Sequence, residues 1–266
     1  MYQLAIIFCL TFVIHIIGTM AYAFRIAGVR TGRIAVSFAL FNVFVLVSRT
    51  ANSFQGPFLA KRVETAIMAP SQYDLSADFR WLLLAATAAT LVGAILIPTF
   101  QRTFTHAVRD FQTHRSVVRL GMRALSARGI WLLTRSVSVP RYKNLAELRI
   151  GVGLPFGIVL MNFVATALWT VGVFAAIYAG YLDPDFRVTS STLSSIVNGV
   201  ATIMLFIFID PFMSGLTDDV ASGTGRESEF RRAVVWMVVS RVAGTLAAQA
   251  LLVPSAHLIA YVSRHI

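Results

Sequence analysis

The sequence predicts an all-α polytopic membrane protein, with about six transmembrane helices and a basic amphipathic helical loop on the cytoplasmic side. Three observations carry that prediction. Of the 266 residues, 57% are hydrophobic and only 13% charged, whereas a soluble domain carries roughly twice that charged share. Mean hydropathy is +0.72, more apolar surface than a water-soluble core of this size can hide. Six segments reach the roughly 20 apolar residues that a bilayer crossing requires, and the basic residues between them are unevenly distributed.

The six spans are expected near residues 3–24, 34–56, 81–100, 150–181, 192–210 and 233–262, within a single transmembrane domain over 1–266. The first opens Met-Tyr-Gln-Leu-Ala, with no basic leader and no small-residue cleavage site, so it reads as a retained span. It contains Cys9, the only cysteine, which rules out an internal disulfide and a Cys-based metal site. Near its middle stands His15, which reads either as a proton relay or headgroup contact or as a packed histidine.

The first connection, Arg25-Ile-Ala-Gly-Val-Arg30-Thr-Gly-Arg33, has three arginines and no acid. The second span is apolar, yet it holds Arg49 in Ser48-Arg49-Thr50-Ala51-Asn52 and then Gln55. A cation deep in a lipid span costs about 3 kcal/mol on insertion scales, so it usually faces a polar or protein-lined interior. The alternative is that Arg49 snorkels outward. Asn52 and Gln55 read first as hydrogen-bonding glue between helices, and because they share the segment of Arg49 they are also read with it as headgroup contacts. Asn162, Asn198 and Gln249 read first as hydrogen-bonding glue between helices.

The 58–80 connection balances Lys61, Arg62 and Arg80 against Glu64, Asp74 and Asp78. Phe58, Leu59, Val63, Ile67 and Met68 suggest a short amphipathic piece there, stopped by Pro70. The 101–149 connection carries ten basic residues against Asp110 and Glu147. Within it Arg115, Arg119 and Arg123 recur every four residues, beside Val118, Met122 and Leu125, with Trp131 following. That spacing gives one basic helical stripe. It fits an interfacial amphipathic helix, either a plain cytoplasmic loop or a dock for anionic phospholipid headgroups.

The fourth and sixth spans exceed a perpendicular crossing and are expected to tilt or break. Gly151, Gly153, Pro155 and Gly157 can bend the start of the fourth, and Pro254 can kink the sixth. The 182–191 connection, with Asp183 and Asp185 against Arg187, is weakly charged. By the positive-inside rule the first and third connections are cytoplasmic and both termini lie outside.

Asp210-Pro211 closes the fifth span, followed by Asp218 and Asp219. Asp210 reads as a partner for Arg241 or for the Arg25–Arg33 cluster, as a coupling carboxylate, or as a polar helix end, with Asp218 a second candidate for coupling or gating. Arg241 lies about eight residues into the sixth span, roughly 12 Å at helical rise, while Arg49 lies about 24 Å into the second. With Arg25, Arg30 and Arg33 they suggest a stair of cations from cytoplasm to exterior, suited to an anionic diphosphate.

Net charge is +11, almost all arginine. In a membrane protein it reflects loops on an anionic leaflet, and no nucleic-acid partner is expected. The arginine bias also suits bidentate phosphate binding. Nucleotide-binding glycine loops and a His-Glu-x-x-His zinc motif are missing, so neither cofactor nor metal nor catalytic residue is expected. Ser240-Arg241 and Pro254-Ser255-Ala256-His257 resemble fragments of membrane lipid phosphatases, but in reversed order and without that family's flanking residues.

Taken together, Arg25-Ile-Ala-Gly-Val-Arg30-Thr-Gly-Arg33, Leu40-Phe-Asn42, Ser48-Arg49-Thr50-Ala51-Asn52 with Gln55-Gly56-Pro57, and Ile209-Asp210-Pro211 with Asp218-Asp219 resemble the Amj family, the "alternate to MurJ" lipid II flippases of bacteria. The resemblance covers essentially the whole chain. It implies a non-enzymatic transporter in the bacterial cytoplasmic membrane. Such a protein moves lipid II, the undecaprenyl-diphosphate-linked peptidoglycan precursor, from the inner to the outer leaflet for cell-wall growth and cell shape. It supplies no set of functional residues, so the site assignments rest on charge and depth alone. Two rival classes are a lipid-phosphate-modifying enzyme that recycles the carrier and a scaffold for cell-wall synthases. Six spans enclose a modest cavity, which leaves room for a homodimer sharing a groove.

Overall fold

The computed structural model describes residues 2–69, 71, 73–124, 126–140 and 155–266. Pro70, Gly151, Gly153, Leu125 and Glu147, all invoked above, lie outside the described residues. The described residues form helices and the turns between them, and six helical stretches are long and apolar enough to cross a membrane.

Helix α1 spans Tyr2–Thr31 and α2 spans Ile34–Met68. Between them Gly32 takes φ 62°, the left-handed conformation that lets a chain reverse in two residues. The pair is held close where it turns. Ser37 Oγ donates to the Phe24 carbonyl at 2.6 Å, and a Cβ on Gly28 would press on the Ile34 Cα at 3.2 Å. At 35 residues, α2 runs well past residue 56 and absorbs the segment expected to be a separate amphipathic piece. Pro57 lies inside it, as Pro is tolerated where neighbouring helices re-satisfy the freed carbonyl.

Helix α3, Leu75–His114, starts from an Asp74 cap that accepts from the Ala77 N–H at 3.0 Å and ends at Arg115, φ 45°. The loop after it forms two short helices, α4 (Val117–Ala124) and α5 (Ala127–Ser136). Because Arg115 is the left-handed cap of α3, only Arg119 and Arg123 share α4, so the four-residue stripe is broken at its first member.

Helix α6 spans Phe156–Leu182, with Pro155 as its cap and Gly157 in its first turn. The fifth crossing is not uniform. A short 3-10 turn (Pro184–Phe186) leads into α7 (Arg187–Thr192) and α8 (Ser194–Met204), then a π-helical segment Leu205–Ile209, then α9 (Asp210–Ser222). Asp210-Pro211 therefore lies within a helical rod that continues to Ser222, and not at the end of the crossing. Pro211 has no N–H to give the preceding turn, and the widened π turn sits immediately before it. Gly223, φ 80°, closes α9, where the carbonyl of Asp219 accepts from the N–H groups of Thr224 and Gly225. Helix α10, Glu227–His265, begins six residues earlier than expected and carries Pro254 within it.

Apolar burial is split into two clusters. One gathers Ile7, Leu59, Phe79, Val171 and Leu252; the other gathers Phe24, Phe104, Met213, Phe230 and Met237. The helices α1, α3, α10 and α6 pack in sequence around the bundle, but α1 and α6 make at most marginal contact with each other. Two other elements bridge them. In the Ile7 cluster, α2 reaches α6 through Leu59 and Val63; in the Phe24 cluster, α9 reaches α1 through Met213. These two bridging crossings are the least buried of the six.

Candidate functional site

Helices α1, α2, α3, α6 and α10 carry a layer of polar residues where they pass from one apolar cluster to the other. In α1 they are Thr11 and His15, between Ile7 and Ile17. In α2 it is Gln55, between Leu40 and Leu59; in α3, Thr87 and Thr90. Helix α6 contributes Asn162, Thr166 and Thr170, and α10 contributes Ser240, Arg241 and Thr245. Asn198 of α8 meets α6 at Gly172, about 15 Å along that helix from Asn162 and level with the Ile7 cluster.

Part of this layer is internally satisfied. Gln55 Nε2 donates to Thr11 Oγ1 at 2.6 Å, and Thr11 donates to the Ile7 carbonyl. Asn162 Nδ2 donates to Ser240 Oγ at 2.7 Å and to the Met237 carbonyl at 2.9 Å, which also accepts from Tyr22 OH. The other part is not satisfied. Among the described residues, the buried side-chain polar atoms without a hydrogen-bond partner are His15 Nδ1, Asn162 Oδ1, Thr166 Oγ1, Asn198 Oδ1 and Arg241 Nε. All but Asn198 belong to this layer. A buried polar atom left unpaired costs roughly 1–3 kcal/mol, so four in one stratum are hard to account for by packing alone.

Glycines make room for these groups. A Cβ at Gly18 of α1 would overlap Arg241 Nη2, so the guanidinium of α10 rests on bare α1 backbone. A Cβ at Gly172 would fall 2.5 Å from Asn198 Oδ1, and one at Gly244 would fall 2.6 Å from the Phe163 carbonyl. His15 and Tyr22 both lie within electrostatic reach of Arg241. Arg241 has no carboxylate partner among the described residues.

Arg25 contrasts with it. Buried at 5% exposure, Arg25 pairs through Nη2 with Asp210 Oδ1 at 2.8 Å and donates through Nη1 to Ser214 Oγ at 3.1 Å. Its guanidinium also lies 4.9 Å from the Phe38 ring centroid. One side chain thus ties α1 to α9 beside α2. Of the two partners expected for Asp210, the structure brings Arg25 and not Arg241. Asp218 is exposed, within electrostatic reach of Arg25. Arg30 and Arg33 are exposed beside the α1–α2 turn.

Arg49 is exposed on α2, among the exposed Leu46, Val47 and Phe54, and Asn52 is half-buried one turn on. Its depth differs from the expected stair. The Ser37–Phe24 and Gln55–Thr11 bonds fix how α2 runs against α1, and interpolation between them sets Arg49 opposite His15. Arg241 meets Gly18, within about one 5.4 Å turn of that level. The two arginines share a depth because α10 starts earlier, at Glu227, than its hydropathy alone suggests.

Sequence reasoning passed over Asn162, Thr166, Asn198 and Ser240 as members of a site. Amides and hydroxyls are common interhelical ties, and the glycine opposite each group is visible only once the helices are paired. No group of His, Cys, Asp or Glu suited to a metal ion occurs among the described residues.

A family model described as Amj, alternate to MurJ, matches residues 10–263. The curated "Lipid II flippase Amj" of Bacillus subtilis (strain 168) is 35% identical over 263 residues, covering 98% of this chain and 97% of that protein. No solved structure matches.

Proposed function

We propose a function from one premise: the chain belongs to the Amj family, whose model spans nearly all of it. It is a lipid II flippase, a transporter and not an enzyme, that moves the undecaprenyl-diphosphate-linked precursor from the inner to the outer leaflet. The reading takes 1–266 as one transmembrane domain in the bacterial cytoplasmic membrane, with both termini outside. The relative's name supports the cargo. The observation that carries the mechanism is Arg241, a cation seated on Gly18 with no carboxylate partner among the described residues and with its Nε buried and unpaired.

In this mechanism the exposed Arg30 and Arg33 collect the diphosphate at the cytoplasmic face, where the positive loops draw in an anionic headgroup. Arg25 follows. Its guanidinium is held by Asp210 and Ser214, and a phosphate offers the same charge-assisted, forked hydrogen bonds as the carboxylate it displaces. Exchanging Asp210 for phosphate releases α9 from α1 and opens the gap between α1 and α6. The diphosphate then reaches Arg241 and the free edge of Asn162. The polyprenyl tail stays in lipid alongside α2, where Arg49 and Asn52 lie on the outward route and Gln55 ties α2 to α1 behind them. Asp210, Asp218 and His15 are the groups through which protons or membrane potential enter.

The test is accumulation of outer-leaflet lipid II in cells lacking other flippases. The wild-type chain should restore it, and Arg49→Ala at equal expression should remove most of it. Normal accumulation with Arg49→Ala would end the role given to that residue. Phosphate release from undecaprenyl diphosphate by the purified chain would replace transport by an enzymatic reading.

A further inference from the structure

A second feature stands apart from the polar layer. Between α2, α3 and the α4–α5 hairpin lies a cavity of about 990 Å³. Its deep wall is apolar, built from Phe24, Leu40, Val43 and Phe44. Its mouth is cationic, with His106, Arg109 and Arg123 against a single acid, Asp110, which Arg123 engages at 2.8 Å. Arg109 is exposed and has no carboxylate partner among the described residues. The Phe24 and Phe104 rings, stacked with 3.7 Å between centroids, form part of its wall.

Polarity graded in this way fits an amphiphile. The mouth lies in the last turns of α3, while Val43 lies nine residues into α2, about 14 Å deeper at helical rise. A headgroup at His106 and Arg109 would therefore send its chains toward the bilayer centre. Volume narrows the occupant. Taking a methylene as about the size of a water, roughly 30 Å³, the cavity holds about 33 such groups. That is the scale of the two acyl chains of a glycerophospholipid. The sign of the mouth selects a phosphodiester with no compensating cation.

We propose that this cavity is a binding site for an anionic glycerophospholipid, with its phosphate on His106 and Arg109 and its chains against Phe44 and Trp131. Its headgroup contacts, His106 and Arg109, have no part in the mechanism proposed above, so the site stands or falls independently of that mechanism. Trp131 lines the cavity and serves as the reporter. In full-length protein carrying Trp81→Phe, Trp169→Phe and Trp236→Phe, vesicles containing phosphatidylglycerol brominated in its acyl chains should quench Trp131 at a several-fold lower mole fraction than brominated phosphatidylcholine. Arg109→Gln should erase that preference, and Ala107→Phe, which fills the cavity, should weaken quenching by both lipids while helicity by circular dichroism stays unchanged. Equal quenching by the two lipids would overturn the proposal. So would relief of quenching by unbrominated undecaprenyl phosphate where unbrominated phosphatidylglycerol gives none, which would assign the cavity to the carrier tail.

Discussion

Arg25 and Arg241 are two arginines inside one bundle, and their surroundings differ in kind. Around Arg25 the donors are matched to a carboxylate, a hydroxyl and an aromatic face. Around Arg241, its own Nε, the His15 Nδ1 and the side-chain oxygens of Asn162 and Thr166 are buried without partners. The first region is arranged to hold helices together; the second is arranged to receive something. Substitutions at Arg25 or Asp210 should therefore lower stability as well as disturb gating, whereas those at Arg241 should act on transport alone.

The largest effect is expected from Arg241→Gln. A charge-assisted hydrogen bond is worth about 1.5–3 kcal/mol, so outer-leaflet lipid II should fall roughly 10–150-fold in the complementation strain, with thermal stability in detergent unchanged or raised. A strongly lowered melting temperature would show that Arg241 is structural and collapse the contrast. Asp210→Ala should do the reverse, lowering stability by about 1–3 kcal/mol because it leaves the buried Arg25 uncompensated. The figure stays modest because the Asp210 side chain is 43% exposed. A double-mutant cycle with Arg25→Ala should recover part of that loss, and simple additivity would deny that the pair is coupled.

Gly18→Ala sharpens the comparison. Its Cβ meets only the end of a flexible side chain, so the Arg241 guanidinium is displaced while the helices stay put. Transport should drop by about tenfold, some 1.4 kcal/mol, with little change in melting temperature. The smallest effect is expected at Gln55→Leu. Losing one interhelical hydrogen bond in a membrane costs about 0.6 kcal/mol on average, visible as a slight fall in unfolding temperature.

Much of the fold is legible in the sequence because hydropathy reports burial in lipid directly, and six apolar stretches become six crossings. The ends of α2 and α10 are not legible in the same way. Helices continue past the hydrocarbon region, so Gly56-Pro57 looks like a stop and Glu227–Arg232 looks like loop, although both are helical. For the site, charge marks Arg25, Asp210 and Arg241, and rarity in an apolar span marks Arg49. Asn162 and Asn198 are missed because polarity alone does not distinguish an amide that ties two helices from one with a free edge. That distinction depends on what lies opposite, and only tertiary pairing supplies it.

The separation of α1 from α6 has a consequence for the cell's energy supply. Each end of the gap is spanned by its own bridge, α2 in the Ile7 cluster and α9 in the Phe24 cluster, and both bridges are in place at once. With both closed, neither aqueous phase has a continuous polar route to the other. If only one bridge lifts at a time, a bulky anion can change sides while the membrane stays electrically tight. Fixing α9 open by removing the Arg25–Asp210 tie should then appear as uncoupled proton entry and a falling membrane potential before any defect in the cell wall is seen.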